Sequence, residues 1–140
     1  MASKPVVLFL CTRNSARSQM AEGLMRHVAG NRYDVHSAGV VPGELHPLAV
    51  RAMEEIDIDI SRQRPKAARP LLGRLPAFYL IIVCGDDDAP TAWPNILSKD
   101  VWPLADPVAV EGSEEERLDA FRGARDELRD RITGWVAAHR

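Results

Sequence analysis

The stretch Val6-Val7-Leu8-Phe9-Leu10-Cys11-Thr12-Arg13-Asn14-Ser15-Ala16-Arg17-Ser18 decides how the chain is read. Val6 to Leu10 is unbroken apolar sequence rich in β-branched residues. It predicts a strand buried on both faces, as in a parallel sheet. A polar turn follows. Then Met20, Ala21, Leu24, Met25 and Val28 recur at helical spacing, with Gly30 as the stop. Working outward, Tyr33 to Ala38 reads as a second strand. Pro47 to Glu55 fits a helix with proline in its first turn. Arg69 to Leu75 reads as a short helix, Phe78 to Val83 as another buried strand, and Val101 to Leu104 as a short strand. Ser113 with Glu116 makes a capping box for a last helix. Glu114, Glu115 and Glu116 sit where the helix dipole favours anions. Leu118, Phe121, Leu128, Ile132 and Trp135 form that helix's apolar stripe. Strands alternating with helices predict an α/β fold with a mainly parallel sheet.

The bulk numbers narrow the function classes. A chain of 140 residues fits one domain spanning 1–140, by the usual ~100–200 residues per domain. Hydrophobic residues at 46% and charged residues at 27% are ordinary for a soluble globular protein. A net charge of −2 argues against a general nucleic-acid binder. The charge is uneven: residues 1–75 hold 11 basic and 7 acidic groups, residues 76–140 hold 7 and 13. The longest apolar run, Ala77 to Cys84, falls far short of the ~20 residues that cross a bilayer. Val6 to Cys11 leads into polar, arginine-bearing sequence with no cleavage-like site, so no signal peptide is expected. There are 2 cysteines, Cys11 and Cys84. They make neither a disulfide framework nor a zinc spacing. The plainest expectation is a reduced, cytoplasmic protein whose two thiols are buried and inert.

The loop after the first strand argues against inertness. Cys11 to Ser18 has the form Cys-x5-Arg-Ser, between a buried strand and an amphipathic helix. Such a loop aims successive backbone N–H groups, here those of Thr12, Arg13, Asn14, Ser15, Ala16 and Arg17, at one spot. The helix N-terminus adds partial positive charge there. Arg17 supplies a planar fork for two anion oxygens. The same field should depress the Cys11 pKa, with Ser18 placed to donate a hydrogen bond to the thiolate. Asn14 tolerates the left-handed backbone such loops need. The bland alternative is a strand-ending cysteine and a solvated arginine. The strand–loop–helix setting outweighs it, since strand C-termini in open α/β sheets are where ligands bind.

Taken with Ser18-Gln19-Met20-Ala21-Glu22-Gly23, Ser37-Ala38-Gly39, Ile58-Asp59-Ile60-Ser61, Val83-Cys84-Gly85-Asp86, Asp106-Pro107 and Gly112-Ser113-Glu114-Glu115-Glu116, the loop resembles the arsenate reductases that share the low-molecular-weight tyrosine phosphatase fold. The resemblance covers nearly the whole chain. It implies a three-layer sandwich around a central four-stranded parallel sheet. It implies Cys11 as nucleophile, Arg17 as anion clamp, Asp106 as general acid and Cys84 as the second, resolving thiol. Asn14, Glu22 and Ser37 are implied as braces of the loop. The segment from Gly85 to Ser98, containing Asp86-Asp87-Asp88, is expected as a redox flap and a solvated acidic loop, with no metal. A disulfide needs Cα atoms within ~7 Å, so the flap must move.

The chain departs from that pattern in ways that matter. Thioredoxin-linked members carry a third redox cysteine beyond the second, and residues 85–100 have none. The loop cysteine of those relatives is Ala16 here, and Arg13 replaces a common glycine. Arg62, Arg64, Lys66 and Arg69 fall where some relatives bind potassium with an aspartate. Lys66 is the candidate stand-in for the ion, against a plain solvated basic face. His27, His36, His46 and His139 show no ligand spacing and receive no role. The expected reaction is arsenate reduction with no tightly bound cofactor. Phosphate and sulfate would compete as anions. Reducing power would come from thioredoxin, or from a small thiol with its redoxin. The expected protein is a cytoplasmic monomer. A phosphatase acting on phosphotyrosine or small aryl phosphates is the rival. Val108-Ala109-Val110 after Pro107 lacks the aromatic residues that would hold a phenyl ring. A non-catalytic anion sensor is the third reading.

Overall fold

The computed structural model describes residues 4–84 and 95–139. In chain order the elements are β1 (Val6–Cys11), α1 (Arg17–Ala29), β2 (Asp34–Gly39), α2 (Pro47–Glu54), α3 (Ala68–Leu72), β3 (Phe78–Ile82), β4 (Ile96–Val101) and α4 (Glu114–Ala138), with a 3-10 turn at Pro107–Ala109. The strands form a four-stranded, wholly parallel sheet in the order β2-β1-β3-β4. Every residue of β1 is buried. Successive strand side chains face opposite ways, so both faces of the sheet are covered there. α1 packs on β1, β2 and α4, and α2 packs on α4. Phe9, Phe78 and Phe121 are the largest side chains sealed from solvent.

The strand order places the ligand crevice. From β1 the chain passes to β2 on one side, then returns to β3 on the other. The gap between β1 and β3 at their C-terminal ends is therefore the topological switch point. Leu10 pairs with Ile82, and the Val83 N–H donates to the Leu10 carbonyl at 2.9 Å. Cys11 and Cys84 thus flank that gap.

Several expectations shift. The expected strand at Val101 to Leu104 ends where it was meant to begin: β4 is Ile96–Val101. Asn95 to Ser98 therefore leads into and forms strand, and is not loop. The rest of the expected flap, including Asp86 to Asp88, lies outside the described residues. Val28 is 41% exposed and leaves the α1 stripe: it lies on the outward face with Arg26 and His27, while Met25 and Ala29 on either side are buried. The short helix after Lys66 is Ala68–Leu72, with Leu75 in the turn that follows. Gly30 does cap α1, in right-handed backbone. The Ser113–Glu116 capping box is formed.

Candidate active site

The loop between β1 and α1 is best understood through its carbonyls. The Val40 N–H donates to the Cys11 carbonyl at 3.2 Å, Val41 to Thr12 at 2.9 Å, Gly43 to Arg13 at 2.9 Å and His46 to Ser15 at 2.9 Å. Gln19 Nε2 donates to the Asn14 carbonyl at 3.0 Å. The Ala16 carbonyl accepts from Met20 N–H at 2.9 Å. Every carbonyl from 11 to 16 thus has a partner outside the cavity. In a trans peptide the next N–H points the opposite way. The N–H groups of 12 to 17 are therefore turned inward, and the Asn14 N–H is seen reaching Cys11 Sγ at 3.3 Å. Segment 40–46 acts as an outer belt that donates from Val40, Val41, Gly43 and His46, while Pro42 has no N–H to give.

Asn14 is the brace. It is buried, with φ of 55°, in the left-handed region that asparagine tolerates. Its Nδ2 donates to Ser18 Oγ at 2.7 Å and to Ser37 Oγ at 2.9 Å. Its Oδ1 accepts from the Lys66 N–H at 2.9 Å and from Gln19 Nε2 at 3.0 Å. Ser18 Oγ lies 2.9 Å from Cys11 Sγ. Ser37 donates onward to Glu22, which is buried and paired with Arg26. Lys66 Nζ sits 3.5 Å from Glu22 Oε1. The acidic partner missing from the basic stretch around Lys66 is therefore Glu22, from a different element. Gln63 Nε2 ties Gln19 in at 2.8 Å.

Over this base lies a cavity of about 260 Å³ lined by Cys11, Thr12, Arg13, Ser15, Ala16, Arg17, Asp106 and Val108. Arg17 Nη1 donates to the Leu104 carbonyl at 3.0 Å, and Nη2 lies 3.8 Å from Asp106 Oδ2. Asp106 Oδ1 accepts from the Val108 N–H at 3.0 Å, which fixes the carboxyl at the start of the 3-10 turn. Both cysteines are free and buried. Ile82 pairs with Leu10, the Val83 N–H donates to the Leu10 carbonyl, and Cys84 follows at a bend in the chain. A larger cavity of about 530 Å³ flanks α1 near Arg26, Asp57 and Arg62. It holds no nucleophile, so the smaller cavity is the chemical one.

Sequence reasoning did not find Gln19, Gln63, Gly39 or the 40–46 belt. A Cβ on Gly39 would lie 2.7 Å from the Arg13 carbonyl carbon and 2.8 Å from Asn14 N. The only sequence sign of this close approach is the Ser37-Ala38-Gly39 triplet. His46, which has no ligand spacing, holds Ser15 through its backbone N–H.

The family model for low molecular weight phosphotyrosine protein phosphatase matches residues 6–140. The chain belongs to that family. Within this phosphatase family its similarity runs to reductases. It is 41% identical over 133 residues to an arsenate reductase of Oceanobacillus iheyensis, covering 93% of this chain and 94% of that protein. A solved arsenate reductase in its phosphate-binding state superposes with a TM-score of 0.80 at 31% identity, covering 96% of this chain and 98% of that one. A thioredoxin-dependent arsenate reductase from Corynebacterium glutamicum gives a TM-score of 0.66 at 32% identity, over 95% of this chain and 64% of that one.

Proposed function

We propose that the chain reduces arsenate to arsenite through a covalent Cys11–arsenic intermediate. One observation carries the reading: a free thiol lies beneath a loop whose amides are turned inward, with a second free thiol just past the neighbouring strand. In this reading the 12–17 amides, with Arg17 and the flanking Arg13, take a tetrahedral anion. The Cys11 thiolate, held by Ser18 and the Asn14 N–H, attacks arsenic. An S–As bond forms, an As–O bond breaks, and Asp106 gives the departing oxygen its proton. The Cys84 thiolate then attacks the Cys11 sulfur. An S–S bond forms, the S–As bond breaks, and its electron pair stays on arsenic, which leaves as arsenite.

With no third cysteine among residues 85–100, the Cys11–Cys84 disulfide is handed to an external reductant. That is thioredoxin, or a small thiol with its redoxin, in a reducing cytoplasm. The thioredoxin-dependent relative supports the former. Asn14, Ser37 and Glu22 brace the loop, and the Lys66 ammonium takes the electrostatic place of a bound cation beside Glu22. The protein works as a monomer with no tightly bound cofactor.

The test is to add arsenate to reduced protein, trap free thiols, and map disulfides by mass. Wild type should yield Cys11–Cys84 and lose both free thiols. Cys11→Ser should yield nothing, and Cys84→Ser should stall. Full turnover of Cys84→Ser with a small thiol would remove Cys84 from the mechanism. Hydrolysis of an aryl phosphate far faster than arsenate turnover would replace the reductase reading with the phosphatase one.

A further inference from the structure

We infer that His46 is a positioning residue for the anion loop, holding the Ala16 N–H aimed into the cavity. The inference rests on the reading of the 12–17 amides as an anion seat. It goes beyond that reading by naming what keeps one of those amides in place.

His46 stands where four parts of the fold meet. Its backbone N–H donates to the Ser15 carbonyl at 2.9 Å. That bond turns the Ser15–Ala16 peptide so that the Ala16 N–H faces inward. The Ala16 side chain contributes no cap to α1, so nothing on residue 16 itself competes for the role. The His46 imidazole is the N-cap of α2, with Nδ1 accepting from the Leu48 N–H at 3.1 Å. The acceptor must be unprotonated, so the ring's proton is on Nε2. The same ring packs on Phe121 of α4 with centroids 4.8 Å apart. Arg117 of α4 and Asp106 both act on it electrostatically, and its pKa is lowered below 6.5, chiefly by burial. The neutral ring that the cap requires is thus the favoured form.

The consequence is mechanical. Asn14 and Gln19 hold the first half of the loop from inside the fold. In the second half the Ala16 carbonyl bonds within α1, and the Ser15 carbonyl is the one tied to the 40–46 belt, by residue 46. If the imidazole loses Leu48, residue 46 keeps its carbonyl bonds to the Ala49 and Val50 N–H groups but loses its side-chain hold on α2, and the Ser15–Ala16 peptide is held less firmly with it. One inward donor is then less firmly aimed into the ground-state anion site, while Cys11, Arg17 and Asp106 are untouched. The expected signature is weaker anion binding with little change in kcat.

The experiment measures inorganic phosphate binding to reduced protein by calorimetry, beside arsenate KM and kcat. The variants are His46→Leu, which keeps packing on Phe121 without an acceptor, and His46→Asn, whose amide oxygen can accept from Leu48. Ser113→Ala removes a comparable cap from α4, one whose bonds go to Glu116 and not to the loop, and is the control for lost stability. His46→Leu should weaken phosphate binding and raise KM by about five-fold, the worth of roughly one cap. Its kcat should stay near wild type. His46→Asn should recover wild-type binding, and Ser113→Ala should not alter it. Unchanged phosphate affinity in His46→Leu overturns the inference. So does an equal loss in His46→Asn, or in Ser113→Ala. Were the anion-seat reading itself wrong, wild type would bind no phosphate, a result separate from all of these and fatal to both.

Discussion

Gly39 shows how a site can depend on a side chain that is missing. It ends β2 where the anion loop crosses, and an added Cβ would press on Arg13 and Asn14 backbone at 2.7 and 2.8 Å. Those atoms are pinned by Gly43 and by the Asn14 bonds, so they cannot give way. Gly39→Ala is expected to cost ~1–3 kcal/mol of stability, as overpacking does, and to abolish most phosphate binding. Thermal melts and calorimetry on the one variant check both. The residues of the cavity were legible from sequence: Cys11, Arg17 and Asp106 all line it, and Asn14 takes the left-handed backbone its type allows. Gly39, Gln19 and His46 were not. Gly39 and His46 act through backbone contacts between distant segments, Gln19 through its side-chain amide on Asn14, and no local pattern records such contacts.

At the scale of elements, α2 and α4 are clasped by Glu55. Its carboxylate takes Arg122 at 2.6 Å and Arg125 at 2.9 Å, both from α4. The hydrogen bond from Arg122 is the main reason its pKa falls from 4.5 to about 2. A depressed carboxylate stabilises the fold fully above its unfolded pKa, and that share is lost as pH falls through the folded one. Stability from this clasp should therefore decline between about pH 4.5 and 2. Glu55→Gln should flatten that part of the melting-temperature profile and lower stability at neutral pH, measured by pH-dependent thermal unfolding. Element type followed from sequence wherever burial was two-sided, as in β1 and β3. β4 was misplaced for the opposite reason. It is an edge strand, with burial alternating along Ile96–Val101, so Ser98, Lys99 and Asp100 interrupt the apolar run. The apolar residues that followed, Trp102 and Leu104, were read as strand in its place. They are buried beyond its end.

The whole molecule is polarised along its strands. The cavity lies at their C-terminal ends, and an aromatic cluster closes the opposite end. There Tyr33 and Tyr79 meet Trp135 at 5.4 and 5.3 Å, and Trp135 stacks on His139. Trp135 Nε1 also donates to Asp100 Oδ2 at 3.2 Å, so the end of α4 is fastened to β4. Trp135→Ala is expected to cost ~3–5 kcal/mol while leaving arsenate KM and kcat near wild type. Denaturant unfolding beside steady-state assays would show the two ends to be separable. The outward-turned carbonyls of residues 11 to 16 have a consequence for how such a site changes over generations. Donors supplied by the main chain survive replacement of the side chains they belong to. Positions 12, 13, 15 and 16 can thus change side chain without losing an inward donor. The pressure to stay fixed moves to Asn14, whose side chain braces the loop, and to Gly39, where any side chain would strike it.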